Sequence, residues 1–120
     1  MNAEQFVEAI KQYVAESAIK GTSEVLSVPP GRNPAAQLIE SSQWYNSLNS
    51  QGQEQVMLIA ADAVHAAIFS FLCVLDGAKV IDAQHLEYHL FSVNPQNGSS
   101  TQLSGSEDND SLHELYRALY

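Results

Sequence analysis

Asp62 and His65 lie three residues apart, so on a helix they share one face and their side chains can touch. A carboxylate that orients an imidazole is a component of general acid–base sites and of the groups that support metal ligands. The same pair could instead pin a loop to its helix, because two polar groups in an apolar run must be satisfied there. His85, Glu87 and His89 occupy alternate positions. On a strand all three point to one face and are ligand types for zinc or another divalent ion. Alternation is also what a solvent-facing or partner-facing strand produces, and this face continues into Phe91 and Val93.

Trp44 and Tyr45 could form a recognition patch, since aromatic side chains dominate interface energetics, but beside Leu48 at helical spacing they also fit a core. Arg32 follows Pro29-Pro30-Gly31 and could hold an anionic ligand or pair with an acid of its own chain. Nucleophile signatures are missing. There is no Gly-x-Ser-x-Gly, Cys73 has no basic neighbour in sequence to activate it, and no Gly-rich loop precedes a helix in a phosphate-binding pattern. These residues name no catalytic group, and a divalent metal is the one cofactor they could hold.

The elements that must position these groups belong to a chain of 120 residues, 45% apolar and 16% charged, enough to bury one core and too short for two ordinary domains. Residues 1–120 are therefore read as a single domain. Fourteen acidic against five basic residues give a net charge of −9, which repels nucleic acid and anionic lipid and permits a basic protein partner. A lone Cys73 in an apolar run suits a reducing compartment, and no basic segment followed by an apolar one opens the chain, so a cytoplasmic location is expected.

Asn2 and Gln5 form a capping box that opens a helix over residues 3–20, carrying Phe6, Ile10, Tyr13 and Val14 on one face and stopping at Gly21. Pro29-Pro30-Gly31 marks a crossover loop, and Asn33-Pro34 opens a second helix over 34–48. Ser50 and Gln53 cap a third helix over about 51–76, ended by Asp76-Gly77. From Val56 to Leu75 only Asp62, His65 and Ser70 are polar, which is long enough to raise the question of a membrane. An aspartate near the centre costs about 2.5–3.5 kcal/mol on insertion scales, and basic flanks are nearly absent. A buried central helix wrapped by the other elements is therefore the expectation.

Residues 79–81, the alternating run 85–93 and residues 100–103 read as a short antiparallel meander, with turn chemistry at Asn94-Pro95-Gln96-Asn97-Gly98. After an acidic loop over 104–110, Ser111 and Glu114 make a third capping box for a terminal helix with Leu112, Leu115, Tyr116 and Leu119 on one side.

The run Trp44-Tyr45-Asn46-Ser47-Leu48, followed by Ala63-Val64-His65-Ala66-Ala67-Ile68-Phe69-Ser70-Phe71-Leu72-Cys73-Val74-Leu75-Asp76-Gly77, resembles a family of small bacterial domains of unknown function. The likeness covers the middle and C-terminal two thirds of the chain. It extends loosely to Pro29-Pro30-Gly31-Arg32 and takes in the terminal Leu112-His113-Glu114-Leu115-Tyr116. It implies a fold and carries over no functional residues. Small acidic domains of this size include immunity proteins that bind and silence a toxin, a comparison of class and not of motif.

The expected fold class is thus α+β and mainly helical, with a buried central helix packed by surrounding helices and a short antiparallel β-meander. The expected function is a non-enzymatic acidic binding protein of immunity or regulatory type, which would use Glu87, Glu107, Asp108 and Asp110 against a basic partner. The alternative is a small metal-dependent hydrolase or ligand-binding domain using His85, Glu87 and His89, or Asp62 and His65. A homodimer burying Phe91, Val93 or the aromatic pair is a third arrangement; neither nucleic acid nor membrane is expected as a partner.

Overall fold

The computed structural model of the chain describes residues 1–105 and 110–120. Five α-helices and two short strands follow in the order α1 (Ala3–Ile10), a π-helical segment (Lys11–Glu16), α2 (Ser17–Ser27), α3 (Ala36–Ser47), α4 (Ser50–Leu75), β1 (Phe91–Val93), β2 (Ser100–Gln102) and α5 (Leu112–Arg117). The fold is mainly helical α+β, as the sequence predicts. Its backbone clusters into two compact units, one formed by residues 1–14 with 66–120 and the other by residues 15–65.

The first unit holds most of the core. Ala3 and Val7 of α1, Leu72 of α4, Leu103 after β2, and Leu112 and Tyr116 of α5 are its buried apolar side chains, with α1 packed on α5. The helix begins at the expected capping box: Gln5 N–H donates to Asn2 Oδ1 at 2.8 Å and Asn2 N–H to Gln5 Oε1 at 3.0 Å. Past Ile10 the winding changes to π, which advances less angle per residue. The stripe that a uniform helix would bury is thereby rotated outward, leaving Tyr13 and Val14 exposed and Ala15 buried. Gly21 does not stop the helix, which continues to Ser27.

In the second unit α2 packs on α3, and Asn46 Nδ2 donates to the carbonyl of Ser27 at 3.0 Å, tying α3 to the end of α2. Helix α3 starts at Ala36, two residues after the expected proline, with Ala35 at its cap. Helix α4 is capped by Asn49, whose Oδ1 accepts from Gly52 N–H at 2.8 Å, so Ser50 is its first residue and not its cap.

Its far end is a Schellman closure. Gly77 has φ +78, its N–H donates to Val74, and Ala78 N–H donates to Cys73.

The expectation of a buried central helix is overturned. Only Leu72 of α4 is buried, and Leu58, Ile59 and Phe71 are each about three-fifths exposed. A helix apolar on all sides needs neighbours on all sides, whereas the other helices pair with one another, α2 with α3 and α1 with α5.

The three-stranded meander is corrected as well. Strands β1 and β2 form a two-stranded antiparallel hairpin with Phe91 opposite Gln102 and Val93 opposite Ser100. Its turn forms as its residues dictate: Asn94 Oδ1 accepts from Gln96 N–H and Asn97 Oδ1 from Ser99 N–H, both at 2.9 Å, with Gly98 at φ +74. Residues 79–81 and 85–90 do not join it. Asp82 Oδ1 accepts from Gln84 N–H and Leu86 N–H, folding this stretch into a local turn, and His85 takes the left-handed φ of 55°, which interrupts extended backbone.

Candidate functional site

Two features of the described residues could serve a function: a cavity in the first unit and the apolar surface of α4. The cavity has a volume of about 520 Å³. Asp76 and Lys79 line it from the end of α4, His85, Glu87 and His89 from the segment before β1, and Ser111 from the start of α5. His89 Nε2 lies 3.5 Å from a carboxylate oxygen of Glu87. The three residues read from the sequence as metal ligands therefore border one cavity, but not as the face of a strand. Among the described residues no three His, Cys, Asp or Glu side chains converge on a metal-sized position.

His89 is seated by Gly105. A Cβ on Gly105 would stand 2.4 Å from the imidazole, and the backbone there has φ +79. Gly105→Ala should therefore cost about 1–3 kcal/mol, combining the left-handed backbone penalty with displacement of the ring. A urea titration reads it directly, and an unchanged midpoint would mean that His89 does not rest there.

The buried Asp–His pair of this protein is one that local sequence patterns do not reveal. Asp76 Oδ2 accepts from both the backbone N–H of His113, at 2.8 Å, and its Nδ1, at 2.7 Å. The Asp76 side chain is 6% exposed and that of His113 16%. Asp76 occupies the C-terminal cap of α4, where the helix dipole disfavours a carboxylate, and that local cost is offset at the N-terminus of α5, whose free N–H groups attract one. Ser111, the expected cap, makes no side-chain bond to the helix.

Around the pair, the His113 ring meets Phe69 edge-on at 5.5 Å, and the guanidinium of Arg117 lies 4.1 Å over the Phe69 ring. The second Nδ1 partner fixes the tautomer of a neutral His113. No nucleophile reaches it, because Ser111 Oγ is buried without a hydrogen bond among the described residues. The pair fastens α5 to the end of α4.

The remaining residues singled out by sequence are dispersed. Asp62 is exposed and His65 half-buried on α4, so the polar pair expected there is not the one the fold buries. Trp44 is 56% exposed while Tyr45 is 5% exposed, which splits the aromatic pair between surface and core. Arg32 is exposed in its loop, with no carboxylate in ion-pair range among the described residues. Asp110 is exposed, and Glu107 and Asp108 lie outside the described residues.

Cys73 is half-buried. Burial pushes its thiol pKa up, the Asp76 carboxylate adds to the rise, and Arg117 and Lys79 oppose it, so its thiolate is scarce at neutral pH.

Helix α4 is the second feature. Its 26 residues include an 18-residue window of mean hydropathy 2.1, of which 6% is buried. By length and composition alone it could cross a bilayer. Gln55, Leu58, Ile59, Asp62, Ala63, Ala66 and Ala67 are exposed along one side. No Lys or Arg occurs between Arg32 and Lys79, whereas Glu40, Glu54, Asp62 and Asp76 do. Comparison with protein families, characterised proteins and solved structures finds no match for this chain.

Proposed function

We propose that this chain is a non-enzymatic binding protein of immunity or regulatory type, and that its exposed α4 face docks a cationic amphipathic helix of a partner protein. The observation that carries the reading is the near-complete exposure of an apolar 26-residue helix. Apolar surface of that extent is a marker of interaction sites. The charge on α3 and α4 selects the partner: with Glu40, Glu54 and Asp62 present and no cationic side chain, a basic rim on the docked helix is complementary and an acidic one is repelled. A second copy of the chain carries the same −9 charge and is disfavoured. A bilayer is disfavoured by Asp62, whose insertion costs about 2.5–3.5 kcal/mol at a helix centre.

The test uses a fluorescent amphipathic Leu/Lys helical peptide, its sequence-scrambled control and Ile59→Glu. The peptide should bind saturably and more weakly as salt rises, and Ile59→Glu should lose roughly tenfold or more, as expected for burying one branched apolar side chain. Equal binding of the scrambled peptide, no effect of Ile59→Glu, uptake of the chain into zwitterionic vesicles, or sedimentation as a dimer that Ile59→Glu dissociates would each overturn the reading.

A further inference from the structure

We infer that the cavity between the end of α4 and the segment before β1 is a receptor site for a primary ammonium or guanidinium group carried on an apolar stem. Its volume of about 520 Å³ suits a small organic ligand or one long side chain. The wall is acidic: Asp76, Glu87 and Asp110 line it against a single cation, Lys79, whose Nζ is already directed to Ser70 Oγ at 2.7 Å.

Two polar groups there are buried and incompletely used. The Asp76 side chain, 94% buried, has one oxygen accepting both His113 bonds, while Oδ1 accepts none among the described residues. Ser111 Oγ is buried with no hydrogen-bond partner among the described residues. Buried polar groups left unpaired cost free energy that a donor-rich ligand recovers. An ammonium or guanidinium supplies several donors and no acceptor, which matches an open carboxylate oxygen and a hydroxyl that can accept.

The acids do not converge on one point as metal ligands would. They are distributed around the cavity, an arrangement suited to a cation with several separated N–H groups. Val80 and Leu86, both more than half exposed, and the half-buried Tyr88 provide apolar surface for the stem. The site stands independently of whether α4 docks a partner.

Titration of the ¹⁵N-labelled full chain with agmatine and, separately, with N-acetyl-arginine methylamide tests the assignment. The amides of Gly77, Gly105 and Ser111 should shift saturably with at least one probe. Glu87→Gln, at a side chain 86% exposed, should weaken binding about fivefold or more without changing the fold, as loss of one charge-assisted contact predicts. Asp62→Asn should leave binding unchanged. Tighter binding of agmatine identifies a free amine as the natural source, and tighter binding of the capped arginine identifies a protein side chain; either supports the site. No saturable shift with either probe, shifts away from the cavity, indifference to Glu87→Gln, or the same shifts produced by inorganic phosphate would overturn it.

Discussion

Asp76→Ala should lower the unfolding free energy by about 3–5 kcal/mol, the range for removing one partner of a buried pair. The substitution strips the N-terminus of α5 of its only side-chain cap and leaves the largely buried His113 ring without its Nδ1 partner. For a chain of this length the melting temperature should fall by roughly 10–20 °C. Asp76→Asn keeps an acceptor for the backbone N–H and should lose less than half as much. His113→Ala should also lose less, because the backbone cap survives. If Asp76→Ala melts with the parent chain, α5 is not held in this way.

The second large effect contrasts two sets of apolar residues. Tyr116→Ala and Leu112→Ala, both at fully buried positions, should cost about 3–5 and 2–5 kcal/mol respectively through lost burial and the cavity left behind. Leu58→Ala and Ile59→Ala on α4 should change stability by less than about 0.5 kcal/mol, because their side chains are already in water and alanine is the better helix former. Hydropathy ranks these positions alike, and only the fold separates them. Denaturant midpoints for the four variants decide the matter; a loss at Ile59 comparable with that at Tyr116 would place α4 inside a core.

Local chemistry was readable from the sequence and partnership was not. The Asn2/Gln5 box, the asparagine and glycine turn over 94–98 and the glycine stop at Gly77 depend on residues within a few positions of one another, and all form. Where two local solutions compete, the nearer was not always chosen: Asn49 caps α4 in place of Ser50, and Asp82 turns a stretch whose alternation suits a strand.

The exposure of α4 was hidden because a helix apolar on every side has no period that marks an inner face. Its hydropathy says that it prefers to leave water, without saying what it should meet. The π segment hides in the same way, since Lys11–Glu16 carries no proline or glycine to announce a change of winding.

Of the candidate site, His85, Glu87 and His89 were found by residue type, and the structure brings them to one cavity by a turn and not a strand. Asp76 and His113 were missed as a pair because 37 positions separate them. The available hint was an aspartate at the C-terminal end of a helix, where the dipole opposes it and some compensating donor is required. Trp44 and Tyr45 are adjacent and were indistinguishable by type; one helical step puts one outside and the other in the core.

The account depends on the apolar face of α4 being presented to solvent by the isolated chain. Thiol labelling under native conditions tests this most directly, with Ile59→Cys in a Cys73→Ala background compared with the parent chain, whose half-buried Cys73 has a raised pKa. The Ile59→Cys thiol should react within roughly tenfold of its rate in the urea-unfolded chain, and Cys73 distinctly more slowly relative to its own unfolded rate. An Ile59→Cys thiol as protected as Cys73 would contradict the account.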